Sequence, residues 1–220
     1  MDGRNRTLEP MSLPAHAYHL ADAENWPAIQ RDGLLSTAAL IARAKLDTQA
    51  AAPYASYRDG GRQLPCGALI RDQRPMPPAA LARCLDAGLA PQDWYDLVNA
   101  KVFFWLDDDR LARHMAACAR RPQVVMVIDL ARLLARHGRR AYLTPFNVGN
   151  ARRLPAARGR RSFVPLAAWQ ATRWRSEAAG GAAPRAASHP PAELAIEHGV
   201  PDIMTYLVAA RPLAGSPTDR

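Results

Sequence analysis

The sequence predicts an α+β domain built on a mixed or antiparallel sheet and interrupted by loops. Short apolar runs of strand character recur at uneven spacing, with well-capped helical runs between only some of them. The last two strand-like runs, 192–197 and 204–209, follow each other without a helix between them. No internal repeat is visible. No G-x-G-x-x-G follows a strand, which disfavours a Rossmann dehydrogenase.

Residues 15–20 read as the first strand, with Tyr18 and Leu20 on one face and Ala17 and His19 on the other. The first face suits a core, so His19 is expected to point away from it. Asp22 is placed to cap a helix over 23–32, ended by Gly33 in a left-handed conformation. Ser36 or Thr37 then caps a second helix reaching about residue 47. Residues 48–77 hold several prolines and glycines and little periodicity, so they read as a loop or lid insertion. Helices follow over 78–87 and from 91 to 97, the latter with proline at its first turn.

Residues 102–106 (Val-Phe-Phe-Trp-Leu) are apolar on both faces, as a central strand requires. Asp107, Asp108 and Asp109 place negative charge at the start of the next helix. A buried strand over 124–129, a helix over 130–137 closed by Gly138, and a strand over 141–144 come next. That last strand leads into Pro145-Phe146-Asn147-Val148-Gly149-Asn150. The Arg-rich stretch 151–161 and the Ala/Gly/Pro-rich stretch 175–191 read as exposed loops, the second flexible. The organisation is thus an N-terminal extension (1–14), one domain (15–211) and a short tail (212–220) that frays after Arg211.

Composition bounds the partners. Hydrophobic residues make up 49% of the 220, ordinary for a packed domain. Basic residues outnumber acidic ones 29 to 20, giving a net charge of +9 that favours phosphate-rich partners. Lys45 and Lys101 are the only lysines, so the excess is almost all Arg, as a GC-rich coding bias also produces. Cys66, Cys84 and Cys118 have neither zinc spacing nor an even number, which argues for a reducing compartment and a cytoplasmic protein. The N-terminus has no secretory pattern, no run is long enough to cross a bilayer, and no metal-ligand spacing occurs.

Several residues carry possible chemistry. His19 and Glu193 lie on strands at opposite ends of the chain. Glu197 shares a face with Glu193 but sits about 13 Å along the strand, at about 3.3 Å per residue, so the two are separate candidates. Phe103 and Trp105 offer aromatic faces. Ser36 and Thr37 can contact a phosphate or simply cap a helix. Asn147 and Asn150 offer amides around a glycine turn. Arg152, Arg153, Arg158, Arg160 and Arg161 form a basic run suited to nucleic acid or simply a solvated loop.

Tyr18-His19 on the first strand, Gly33-Leu34 after the first helix, an aromatic central strand and a late Ala192-Glu193-Leu194-Ala195-Ile196 strand together resemble the ADP-ribosyltransferase superfamily. The likeness is to its DNA-modifying toxin branch and its NAD-dependent RNA phosphotransferase branch. It extends to an uncharacterised bacterial family with the same Tyr-His…Gly-Leu opening and a Phe-Asn-x-Gly-Asn loop. An Arg-Ser-x-x-Glu arrangement is absent. The resemblance implies a split mixed or antiparallel sheet with flanking helices, and NAD as substrate. The basic charge favours DNA or RNA over protein as acceptor, and whether a partner protein neutralises the activity stays open.

On that resemblance Glu193 is the catalytic carboxylate and His19 holds the ribose. Tyr18, Ser36, Thr37, Phe103, Trp105, Asn147 and Asn150 would line the NAD site. Cleaving the nicotinamide–ribose bond passes through an oxocarbenium-like state, and stabilising its charge in a dry cleft supplies roughly 100-fold or more in rate. The rival readings are a non-catalytic nucleic-acid-binding module, an NAD glycohydrolase and an RNA 2′-phosphotransferase.

Overall fold

The computed structural model describes residues 12–152, 156–176 and 185–215. In chain order its elements are β1 (His16–Asp22), α1 (Trp26–Asp32), β2 (Leu34–Leu35), α2 (Thr37–Arg43), α3 (Thr48–Ala55), β3 (Arg62–Gln63), β4 (Leu69–Ile70), α4 (Pro78–Ala82), α5 (Pro91–Asn99), β5 (Lys101–Trp105) and α6 (Asp108–Ala117). There follow β6 (Gln123–Asp129), α7 (Leu130–His137), β7 (Ala141–Thr144), β8 (Val164–Pro165), α8 (Leu166–Thr172), β9 (Glu193–Glu197), β10 (Gly199–Val200) and β11 (Leu207–Leu213).

Seven strands form one sheet in the order β11-β6-β1-β5-β9-β7-β8. Every pairing in it is antiparallel, which resolves the mixed-or-antiparallel expectation. The fold is α+β. β5 is the middle strand, as its two apolar faces predict, and Phe104 is wholly buried.

The sheet has a seam. β1 pairs with β6 over its full length, from His16–Asp129 to Asp22–Gln123. β5 pairs with β9 just as fully. Between β1 and β5, only Tyr18 and Trp105 are register partners. Two well-knit halves therefore meet at one point and diverge beyond it.

One face of the sheet carries the main core. Ala17 and Ala21 of β1, Val102 and Phe104 of β5, Met126 and Ile128 of β6, and Leu194 and Ile196 of β9 pack there with α7 and α8. The opposite face carries two smaller cores. Leu20, Trp105, Leu111 and Val125 pack under α6, while Trp94, Tyr95, Phe163 and Ala195 pack under α5. β1 thus has core on both faces, and His19 shares the Ala17–Ala21 side, not a solvent side as its pattern alone suggested.

The caps divide between expectation and correction. Ser36 caps α2 with Oγ on the Ala39 amide (3.2 Å), and Asp107 caps α6 through the Arg110 amide (2.8 Å). Asp22 caps nothing; its carboxylate is taken by Arg71 and Gln123. α2 stops at Arg43, four residues short of the expected end. The 204–209 run divides into a 3-10 turn (Ile203–Tyr206) and the start of β11, which continues past Arg211 to Leu213.

Residues 48–77 are more ordered than their proline and glycine content suggests. This stretch holds α3, capped by Asp47 on the Ala50 amide (2.8 Å), and the β3–β4 hairpin. Buried polar side chains tie it down. Arg58 donates to the carbonyls of Tyr54 and Arg71 and to Asn99 Oδ1, and Asn25 exchanges two bonds with the Leu69 backbone (2.7 and 2.9 Å). The segment is a fixed wall, not an unstructured loop. β8 and α8, which bury Val164, Leu166 and Trp169, fall where the sequence pattern announces no element. Of the sequence expectations, the extension 1–11, Arg153, the middle of the 175–191 loop (177–184) and the end of the tail (216–220) lie outside the described residues. Among the described residues no helix is long and apolar enough to cross a membrane, and all three cysteines are free.

Gly33 ends α1 at φ +84°, but with ψ 176°, an extended rather than a left-handed helical conformation. A Cβ there would stand 2.3 Å from the Pro201 Cα, because β2 and β10 cross closely at Leu34–Val200 and Leu35–Gly199. Gly33→Ala therefore combines a forbidden backbone with a backbone clash and is expected to lose about 3 kcal/mol of stability. Urea denaturation measures this, and a loss below about 1 kcal/mol would contradict the close approach.

Candidate active site

A cleft of about 1250 Å³ opens along the seam between β1 and β5. His19, Phe103, Trp105 and Glu193 line it, with α6 and the β3–β4 hairpin as walls.

His19 sits where the ladder fails. Extending the register from Tyr18–Trp105 would set Leu20 against Phe103, but that pairing is absent. The imidazole takes the orphaned carbonyl instead, with Nδ1 donating to Phe103 O at 2.8 Å. A carbonyl only accepts, so Nδ1 carries the hydrogen and Nε2 is left as an acceptor. Nε2 has no hydrogen-bond partner among the described residues, and it is not one of their buried unsatisfied atoms, so it opens on the cleft. Burial lowers the His19 pKa to about 4, with the Arg71 charge adding to the effect. The ring is neutral at pH 7.

Glu193 heads β9. It is only 4% exposed and is the cross-strand partner of Trp105 on one side and Thr144 on the other. With Tyr18, these residues form one row across four strands, and partners in a row share a face. Glu193 Oε2 meets the Val148 amide and the Thr144 hydroxyl, each at 3.1 Å. Thr144 Oγ1 also lies 3.0 Å from the Phe146 carbonyl. A hydroxyl has one hydrogen, so Thr144 serves the carboxyl or the carbonyl but not both at once. Burial is the leading influence on this carboxyl and raises its pKa to about 7. The Val148 and Thr144 bonds and the charges of Arg110 and Arg158 oppose the rise. Oε1 has no partner among the described residues and is not among their buried unsatisfied atoms, so this oxygen also faces the cleft.

The Phe146–Asn150 loop is the cradle of that carboxyl. Asn147 Oδ1 accepts from the Gly149 amide (2.8 Å) and Asn150 Oδ1 from the Arg152 amide (3.1 Å), two side-chain turns that aim the Val148 N–H at Glu193. Arg158 holds the loop from beneath. It is 1% exposed, donates to the carbonyls of Val148 (3.3 Å) and Asn150 (3.0 Å), and lies over the rings of Trp94 and Phe146. Arg158 is thus a buried positioning residue and leaves the expected nucleic-acid patch. Arg152, Arg160 and Arg161 remain exposed.

The other expected residues divide by position. Phe103 is half-buried on the cleft and packs 6.3 Å from Phe163. Trp105 lies almost buried under α6 with its indole N–H on His114 Nδ1 (2.8 Å), which makes it a support rather than an open stacking face. Tyr18 packs beside it, its pKa raised by burial and by the Asp108 carboxylate. Ser36 spends its oxygen on capping, while Thr37 reaches the cleft wall half-buried. Glu197 stands at the far end of β9, opposite its register partner Lys101 and 3.6 Å from the lysine Nζ. Glu193 is the strand's cleft carboxyl.

The sequence pattern missed the cleft's own cations. Ten Lys or Arg residues line it against five Asp or Glu, so the cavity attracts anions. Arg110, Arg113 and His114 share one face of α6, a spacing legible once the helix is placed. Arg58 and Arg71 sit in the proline-rich insertion, where no pattern marks them. Burial lowers the Arg58 pKa to about 10, and the guanidinium meets carbonyls and an amide rather than a carboxylate.

This geometry defines a class: an antiparallel α+β domain with a cationic cleft at a sheet seam, floored by a neutral imidazole and a buried carboxyl. Residues 15–207 match a family of unknown function (DUF7002), and the chain belongs to that family. No curated protein and no solved structure matches the chain.

The raised carboxyl has a sign in stability. Between pH 4.5 and about 7 the folded state holds the Glu193 proton more tightly than the unfolded state does. Wild-type stability therefore falls through this window relative to Glu193→Gln, whose side chain cannot ionise, by a few kcal/mol, and the gap is flat above pH 7. Urea titrations of both proteins from pH 4.5 to 8 test this. A gap that does not grow would mean that the carboxyl titrates normally.

Proposed function

We propose that the protein is an NAD-dependent ADP-ribosyltransferase that modifies a macromolecule, with nucleic acid as the favoured acceptor. The observation that carries the reading is the buried carboxyl of Glu193, one oxygen held by Val148 and Thr144 and the other open to a cationic cleft. It occupies the place that the resemblance gives to the catalytic glutamate.

In this reading the diphosphate enters among the cleft arginines and the nicotinamide–ribose bond lies near Glu193. The bond breaks with its electron pair leaving on the nicotinamide nitrogen, and an oxocarbenium-like ribose develops. Glu193, ionised, stabilises that charge and takes the proton of the attacking acceptor group; a pKa near 7 suits both roles. His19 Nε2 accepts from a ribose hydroxyl, and its neutral state is what an acceptor requires. Phe103 offers the half-buried ring beside nicotinamide. The +9 charge and exposed Arg152, Arg160 and Arg161, just beyond the Asn150 turn, support nucleic acid as acceptor. A reducing, cytoplasmic setting and a neutralising partner protein belong to the same reading.

One observation favours a second reading. An RNA 2′-phosphotransferase needs several basic groups around a phosphate, and Arg71, Arg110, Arg113 and His114 line the same cleft.

The test is nicotinamide release from NAD with and without DNA or RNA. Glu193→Gln is expected to lower release by roughly 100-fold or more, and His19→Ala to raise KM more than it lowers kcat. Equal turnover by wild type and Glu193→Gln sinks the catalytic assignment. Release only with 2′-phosphorylated RNA selects the second reading.

A further inference from the structure

Two hydrogen-bond donors meet on one wall of this cleft, 3.4 Å apart. The Trp105 indole can only donate, so its 2.8 Å bond fixes His114 Nδ1 as the acceptor. Burial and the Arg71 charge hold His114 in its neutral form at pH 7. The single ring hydrogen is therefore on Nε2. That nitrogen lies 3.4 Å from Arg71 Nη1, itself a donor.

Among the described residues nothing resolves this mismatch. Arg71 Nε is held by Asp22 Oδ2 (2.8 Å), Nη2 is held by Gln123 Oε1, and Nη1 reaches only the weak acceptor Cys118 Sγ at 3.8 Å. Asp22 is shared with Arg121 (3.5 Å), so two guanidiniums face one carboxylate and the corner keeps a net positive charge. Arg71, His114 and Arg113 line the cleft, and Arg110 on the same helix is close enough to Glu193 to lower its pKa.

We propose that Arg71 and His114 form an anion subsite that receives the diphosphate of the bound nucleotide, its oxygens accepting from both facing N–H groups. The choice of nucleotide rests on the ADP-ribosyltransferase reading; the anion site does not. Asp22 and Gln123 hold the guanidinium and Trp105 holds the imidazole, so both donors are oriented before a ligand arrives. Charge-assisted hydrogen bonds of this kind are worth roughly tenfold to a hundredfold in affinity each.

Two substitutions separate binding from folding. His114→Gln keeps an oxygen for the Trp105 indole and an N–H₂ for the anion. His114→Glu also keeps the oxygen and pairs with Arg71, but sets a negative charge in the subsite. Calorimetric titration with inorganic pyrophosphate and with ADP-ribose is expected to give His114→Gln within about threefold of wild type. His114→Glu should bind about thirtyfold or more weakly at unchanged Tm. Equal binding by wild type and His114→Glu overturns the proposal. If neither variant folds, ¹⁵N-histidine spectra of the wild type decide: pyrophosphate must move the His114 Nε2 resonance, and no movement overturns the site. A response to 5′-phosphorylated oligonucleotide alone overturns the diphosphate assignment. Pyrophosphate binding without NAD cleavage keeps the subsite and removes the enzyme reading. Glu193-dependent cleavage with an indifferent His114 does the reverse.

Discussion

The bond from His19 Nδ1 to the Phe103 carbonyl is the constraint on which the cleft depends. A sheet interior leaves no carbonyl unpaired without cost, about 1–3 kcal/mol for a buried orphan. At the seam β1 turns away from β5 after a single paired position, and a backbone donor for Phe103 is lost. The imidazole supplies the missing hydrogen from the side chain. The halves can then diverge without an unsatisfied group, and the space between them becomes the cavity. The same bond fixes the tautomer, so closing the ladder on one side presents an acceptor on the other. A residue that looks purely structural thereby produces a binding group.

Glu193 poses the converse problem. An ionised carboxylate in this position costs several kcal/mol unless bonded, and the sheet answers with a loop rather than a salt bridge. Arg158 grips the carbonyls of Val148 and Asn150, two side-chain turns shape the loop, and the Val148 amide faces the carboxyl. The Thr144 hydroxyl also meets the carboxyl, but its single hydrogen is shared between Glu193 and the Phe146 carbonyl. The partial bonding offsets only part of the burial, which is why the group titrates near neutrality and not in the ordinary carboxylate range.

Strands and helices were legible in the sequence where side-chain pattern and burial agreed. The apolar 102–106 run became the central strand, 141–144 became β7, and 130–137 became α7 with the expected bounds. Pattern failed where polar tertiary contacts decide. Proline and glycine density hid α3 and the β3–β4 hairpin, which stand because Arg58 and Asn25 reach distant backbone. Asp22 reads as a cap from its neighbours but is claimed by Arg71, 49 residues on. Arg158 sat in a run of surface-like arginines, and nothing local marks it as the one that is buried. His19 and Glu193 were visible as residue types on strands; their open atoms were not, because those depend on partners at Phe103, Thr144 and Val148.

The arginines differ in role by position and not by number. A coding bias spreads guanidinium groups without regard to function, so the +9 charge alone does not identify a partner. Position does more. Arg58 and Arg158 bond to carbonyls and act as fold residues, whereas Arg71 and Arg110 stand on the cleft beside titratable groups. Arg110 lowers the Glu193 pKa and Arg71 lowers that of His114, so each cation is coupled to a proton site. An anion entering between them offsets both cations. Glu193 would then hold its proton more tightly and His114 would gain one more easily, since each loses a repelling or stabilising charge. Ligand charge and the protonation of the cleft are therefore linked through these two arginines. A cleft built this way responds to the charge of what it binds as well as to its shape.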